Sequence, residues 1–410
     1  MTSVLFRTWL DTGDRPDVLT VADHTGAEHL VVTRHALVRE VLADPHTYPP
    51  DNALDAVTPI PVAALRVLTR YGFRLPPTLA NNGGPSHPAI RAIVADALHP
   101  HRVEAQRPWL TAVVRERVGW LAAALHRGET IDVYADLAAD LPLLVLARLV
   151  ELPDAKVDVV KEFARAALEL FWAPVDLDRQ LALAETVGRF HGVLREFASG
   201  APGLPARLRE HSGDLDVTVG ALFFLLVAGQ ETTSQFLTLL LHRLASEPEV
   251  LDGLTAGTIA PADVVEEGLR LEPPIVTWRR VAARDTVLGG TPVMRGQSIV
   301  LWLARAGRDP SIVPDPDAFR PGQRGSRRQL AFGAGAHRCV GAHLARMESE
   351  VVVTETALLL RSAEVVRAPW TPDNLSFRMP DTLTLRHHTS APPAQSARPH
   401  RGGRGARAAG

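Results

Sequence analysis

Cysteine is almost absent: the 410-residue chain holds a single one, Cys339. An intrachain disulfide and a multi-cysteine metal site are therefore excluded, and such sparing use suits a reducing compartment. Net charge is equally scant. Against 44 Lys and Arg stand 46 Asp and Glu, and a formal balance of −2 gives no reason to expect a nucleic-acid partner. Long apolar runs are missing, because the strongest, residues 221–229, falls short of the about 20 residues a bilayer requires. The first ten residues lack the apolar core of a signal peptide. Neither an internal linker nor a repeat is found. One large helical domain over residues 1–390 is expected, in a cytoplasmic monomer without membrane attachment.

What the chain does have is a hydrophobic fraction of 46%, ample for a core. Val18–Ala22 and Glu28–Val32 flank Asp23-His24-Thr25-Gly26, a hairpin pattern. Thr33 can cap a following helix (Leu37, Val38, Val41, Leu42) that Pro45 ends. Residues 46–86 read as irregular, a loop long enough to suggest function. Helical patterns run from Arg102 to Ser199, with breaks at Pro108, Gly128, Pro142, Pro153 and Pro174. Val287–Trp302, with Gly289-Gly290 and Gly296 as turns, reads as short strands. Residues 391–410 are Pro, Gly, Ala and Arg with almost no large apolar side chains, which predicts a disordered tail.

Two places break local rules. The longest helical pattern, 216–246, is apolar on most sides, yet its middle reads Ala228-Gly229-Gln230-Glu231-Thr232-Thr233. Glycine there costs about 1 kcal/mol against alanine, threonine hydroxyls compete for backbone carbonyls, and a buried glutamate is costly unless paired. Such inconsistency in an otherwise consistent helix marks a functional site. The second place is Phe332-Gly333-Ala334-Gly335-Ala336-His337-Arg338-Cys339-Val340-Gly341, followed by a helical pattern (Leu344, Met347, Val351, Val352, Ala357, Leu358). The glycines allow a tight turn and close approach to something flat. A helix N-terminus favours a thiolate. The lone sulfur is thus an inert thiol, a nucleophile, or one axial ligand to a metal.

Phe-x-x-Gly-x-x-x-Cys-x-Gly resembles the haem-thiolate signature of the cytochromes P450, here Phe332, Gly335, Cys339 and Gly341. Ala-Gly-x-Glu-Thr-Thr resembles that family's distal-helix motif. The resemblance spans residues 15–388 and implies a mainly α fold with a small β region, binding haem b through Cys339. It implies that Ala228 and Gly229 open room for O2, that Thr232 hydrogen-bonds the oxygen, and that Glu231 relays protons. His87 and Arg91, sharing a helix face, match the family's His-x-x-x-Arg; with Arg280 and His337 they would hold the haem propionates, beside Gly333 of the loop. Glu267 and Arg270 match a buried structural Glu-x-x-Arg pair, which Arg324 would complete. Candidate substrate contacts are Phe224, Gln230, Ile275, Val276, Trp278 and Phe377.

The implied activity is an oxidoreductase using O2, two electrons and two protons to hydroxylate or epoxidise a medium-sized hydrophobic or aromatic substrate of bacterial secondary metabolism. With no fused flavin or iron–sulfur domain, electrons would come from a ferredoxin and its reductase, which Arg102, Arg338 and Arg346 could steer. The alternatives are oxidative C–C or C–N coupling of an aromatic peptide-like substrate, a haem-thiolate sensor, and a cysteine-nucleophile enzyme with His337 or His87 as base. Glu231 and Thr232 count against the sensor, and Glu267, Arg270 and Arg280 would go unexplained in the nucleophile enzyme.

Overall fold

The computed structural model describes residues 15–23, 26–152 and 157–388. The expected tail at 391–410, the first ten residues, the hairpin-turn residues His24 and Thr25 and the break at Pro153 lie outside the described residues. Within them the chain is mainly helical, with three small sheets.

Helix Leu215–Leu244 is the spine. The Asp214 carboxylate accepts from the Asp216 N–H at 2.7 Å and caps its first turn. Helices Leu141–Val150, Val157–Trp172, Leu177–Gly200, Leu204–Ser212 and Ala342–Arg361 sheathe it, as a helix apolar on most sides requires. By length and composition it is the one described helix that could cross a membrane, but most of that apolar stretch is buried inside the protein.

The hairpin forms as its pattern predicts: Val18–Ala22 pairs antiparallel with Glu28–Val32. Glu28–Val32 then pairs in parallel with Ser298–Trp302, which pairs antiparallel with Thr277–Val281. Strand alternation puts Trp278 and Arg280 on one face of Thr277–Val281, the face that lines the main cavity, and sends Arg279 the other way. There the Arg279 guanidinium donates to the Ala53 carbonyl at 3.2 Å and to that of Asp55. The irregular segment after Pro45 is thereby tied to the sheet. Gly289 and Gly290, both at positive φ, turn the hairpin Thr286–Leu288/Thr291–Val293.

Several local expectations are corrected. Thr33 does not cap the helix His35–Ala43; its hydroxyl donates to the Pro16 and Asp17 carbonyls, securing the strand start instead. Residues 46–86 contain a helix, Val62–Arg70, with Pro61 at its N-cap. Flanking prolines hide it, and only Ala64 and Leu68 are buried, so its apolar stripe is thin; packing against Leu177–Gly200 holds it. Pro108 and Pro142 start helices rather than break them, because the first turn has no use for their missing N–H. The region read as wholly helical also holds a short strand, Ile131–Asp132, in a three-stranded sheet with Thr384–His387 and Ala363–Arg367.

Candidate active site

Cys339 lies just ahead of helix Ala342–Arg361, whose N-cap is Gly341. The Cys339 N–H donates to the Phe332 carbonyl at 2.8 Å and closes the loop. Gly335 has φ 68°, and a Cβ on it would sit 2.5 Å from the Leu42 carbonyl oxygen, so only glycine lets the loop seat on helix His35–Ala43. Gly333, at φ 65°, faces open space. The sulfur counts as exposed only because it faces a cavity; the surrounding protein pushes its thiol pKa up, against the pull of the Gly341 N–H and of Arg91, Arg338 and Arg346.

That cavity joins the two rule-breaking stretches. Ala228, Gly229, Thr232 and Thr233 line it from the spine; Phe332, Gly333, His337, Arg338, Cys339, Val340 and Gly341 line it from the loop. Thr232 donates to the Ala228 carbonyl at 2.7 Å, leaving its oxygen free to accept. The spine stays helical through this stretch. What Gly229 supplies is closeness, since a Cβ there would lie 2.9 Å from the Leu146 side chain.

Three guanidinium groups, Arg91, Arg280 and Arg338, and the His337 imidazole reach the cavity. Arg280 is 2% exposed, and among the described residues its only hydrogen-bond acceptor is the Arg279 carbonyl at 2.8 Å. Burial with no carboxylate nearby lowers its pKa to about 10. A desolvated guanidinium without a counter-ion is an anion-binding group. His337 Nε2 lies 2.9 Å from the Asn82 carbonyl, and its ring stacks on His87 with centroids 4.0 Å apart. Burial holds both imidazoles down, His87 to about 4 with help from His337 and Arg91, so both are neutral at pH 7. Arg91 also donates to the Arg338 carbonyl, clasping the cysteine loop.

Of the candidate substrate contacts, Phe224, Ile275 and Trp278 line the cavity. Val276 does not; its N–H is bound to the Ser376 carbonyl. Phe377 backs the wall, edge-on to Trp172 and Trp278 at centroid distances of 5.0 and 6.3 Å. Gln230 is buried and turned away, its Oε1 accepting from Lys161 Nζ at 3.1 Å. Leu79, Ala80, Leu98 and Leu146 are also in the wall; as isolated apolar residues they carried no signal in the sequence.

Glu231 does not line the cavity. Its fully buried carboxylate pairs with Lys161 at 2.6 Å and lies 3.8 Å from Arg165, both partly exposed. Burial lowers the Lys161 pKa, and the adjacent carboxylate pulls it back. Glu267 and Arg270 form the expected buried pair, at 2.7 and 2.9 Å. Arg324 is not the third member: it is exposed, and the place is taken by Gln323, Ser326 and the Arg320 N–H, which donate to Glu267 at 2.6, 2.7 and 2.9 Å. Arg346 is not a free surface charge either; it bonds Glu266 at 2.6 Å and covers the Phe332 ring at 4.5 Å.

A residue that the sequence reading passed over is Glu348. It is fully buried, and among the described residues both carboxyl oxygens lack a hydrogen-bond partner. Burial raises its pKa well above 4.5, with Thr233 pulling weakly the other way. The folded state then holds a proton that the unfolded chain releases above pH 4.5, so stability declines as pH rises from there. Glu348→Gln should remove that slope: its stability relative to wild type is expected to increase as pH is raised above 4.5, read from denaturant midpoints. A pH-independent difference would contradict the assignment.

A lone sulfur beside an open glycine, with a buried, unpaired guanidinium at the rim, suits a flat metallocycle bearing carboxylates. The fold and this cavity thus define a haem-thiolate protein. A family profile described as Cytochrome P450 matches residues 262–379. Cytochrome P450 123 of Mycobacterium tuberculosis is 31% identical over 305 residues, covering 72% of this chain and 75% of that one. Erythromycin C-12 hydroxylase of Saccharopolyspora erythraea is 29% identical over 353 residues, 81% and 82% of the two chains. The solved structure of cytochrome P450 CREJ in complex with (4-ethylphenyl) dihydrogen phosphate superposes with a TM-score of 0.86 at 25% identity, covering 94% of this chain and 98% of that one. The chain belongs to the cytochrome P450 family, bacterial in type, whose members are monooxygenases that bind haem b through a cysteine thiolate.

Proposed function

We propose that this P450 inserts one oxygen atom of O2 into a medium-sized apolar or aromatic molecule of bacterial secondary metabolism, by hydroxylation or epoxidation. The reading places it in the cytoplasm as a single-domain monomer fed by a ferredoxin and its reductase. One observation carries it: the cavity's charge is gathered around the cysteine loop (Arg91, Arg280, Arg338, with the neutral His337 beside them), while the wall around Thr232 is apolar and aromatic (Leu79, Leu146, Phe224, Ile275, Trp278). The charged end suits the carboxylates of haem. The remainder suits an uncharged guest.

Bound there, haem b supplies the iron at which O2 is reduced by two electrons. Cys339 would be its ligand, and Arg91, Arg280 and His337, with His87 stacked behind, would hold its carboxylates. The Thr232 hydroxyl would orient the oxygen by hydrogen bond. Glu231 would pass protons to that hydroxyl by way of the partly exposed Lys161 ammonium, with Arg165 holding the carboxylate in place. Two electrons, two protons and O2 then give one oxygenated product and one water. Erythromycin C-12 hydroxylase as a relative is consistent with hydroxylation as the outcome.

The test is a screen of apolar and aromatic compounds for a shift of the main haem absorption band. Hits are then turned over with ferredoxin, reductase, NADPH and O2. The expected product is heavier than the substrate by one oxygen. A product lighter by two hydrogens would replace this reading with oxidative coupling.

A further inference from the structure

Gln235 touches the two ends of the site at once. It is fully buried on the spine one turn after Glu231. Its Nε2 donates to Glu231 Oε2 at 3.4 Å, and its Oε1 accepts from the Met379 N–H at 3.2 Å. Met379 is one of two described non-glycine residues at positive φ, at 47°. A side chain in that region costs about 1–3 kcal/mol and persists where the surroundings over-determine it. Here they do: Arg165 donates to the Met379 and Pro380 carbonyls at 3.4 Å each, and the Asn374 amide reaches the Met379 sulfur at 3.4 Å.

The same short segment backs the cavity wall. Asn374 Oδ1 accepts from the Phe377 N–H at 2.8 Å, Phe377 bridges to Ile275, and its ring meets Trp278. Segment 374–380 is therefore held to the cavity at Phe377 and to the Glu231 cluster at Met379. Of the two side chains that join Glu231 to this segment, Arg165 is partly exposed and 3.8 Å from the carboxylate. Gln235 is the buried one.

We propose that Gln235 is a positioning residue that couples the Glu231 carboxylate to the substrate-side wall, so that a guest pressing on Trp278 is felt, through Phe377 behind it, at the acid. The proposal rests on the reading above, in which Glu231 handles protons. A coupling free energy between two sites is reciprocal, so perturbing Glu231 must alter the segment as well. That consequence is measurable without turnover.

The experiment is a cycle of Glu231→Gln, Gln235→Met and the double variant in the haem-loaded protein, read by amide hydrogen exchange over residues 374–382. Glu231→Gln is expected to change protection there by about fivefold, the low end of typical couplings, and to have no such effect in the Gln235→Met background. Gln235→Asn, which keeps the amide but shortens its reach, serves if Gln235→Met does not accumulate. In turnover, Gln235→Met should lower product formed per NADPH consumed by about fivefold and shift the pH midpoint of oxygenation, with the guest's dissociation constant from the absorption shift moving less than about twofold. Equal Glu231→Gln effects in both backgrounds, or none in either, overturn the proposal. Wild-type oxygenation by Glu231→Gln would instead overturn the proton-handling role.

Discussion

Cys339→Ser is expected to remove the absorption band typical of sulfur-ligated haem from the reduced, carbon monoxide-treated protein. Oxygenation should fall below about one thousandth of wild type, a barrier rise of about 4 kcal/mol at 1.36 kcal/mol per decade. Cys339 is the sole cysteine, and no cluster of three His, Cys, Asp or Glu among the described residues could hold a metal in its stead. The serine fits the space of the sulfur, so the cavity donors Arg91, Arg280 and His337 remain to hold the carboxylates. Haem should therefore still associate, with its spectrum changed. An unaltered band in the serine variant would mean that another residue ligates the iron, and the proposed site would have to be abandoned.

The second large effect is on folding. Arg270 is fully buried and does more than pair with Glu267: its guanidinium also donates to the carbonyls of Gly307, Pro316 and Ala318, at 3.1, 2.5 and 2.9 Å. It pins the irregular segment leading to the cysteine loop onto helix Pro261–Leu271. Arg270→Met strands three carbonyls and takes the counter-charge from the buried Glu267 carboxylate, and removing one partner of such a pair costs about 3–5 kcal/mol. That is a large part of a typical total stability of about 5–15 kcal/mol. The expected result is little soluble haem protein, with a denaturant midpoint far below wild type in what accumulates. Lysine should not rescue it, because a single ammonium cannot reproduce the planar fork. A midpoint within about 1 kcal/mol of wild type would show that the cluster is not what anchors the segment. Burial raises the Glu267 pKa, but bonds from Arg270, Ser326 and the Arg320 N–H more than offset this and leave it lowered. A carboxyl lowered in the folded state stabilises above its unfolded pKa and loses that contribution as the solution is acidified.

What could be read in the chain was local. The loop around Cys339, the polar break in the spine, the i,i+3 pair Glu267–Arg270 and the hairpin at Gly289–Gly290 each carry their signal within about ten residues. What could not be read depends on partners far apart in sequence. Nothing near Glu231 announces Lys161, 70 positions earlier. Gln323 and Ser326 replace Arg324 because a shift of one residue in an irregular loop decides which side chain turns inward. Gln230 was offered to the substrate from its neighbourhood in the motif, but helix phase points it at Lys161. Glu348 was hidden because its helix reads as ordinary core on either side.

The seating of Gly335 on Leu42, and the pairing of Glu28–Val32 with Ser298–Trp302, bear on how the protein is made. The cavity draws its lining from Leu42 through Ala345. A chain emerging from the ribosome therefore possesses no half-built pocket to which the porphyrin could cling: the cysteine appears about 300 residues after helix His35–Ala43, against which its cradle must seat. Loading must wait for the cysteine loop, and until then the apolar wall around Trp278 is uncovered, which makes the supply of haem during expression a determinant of yield.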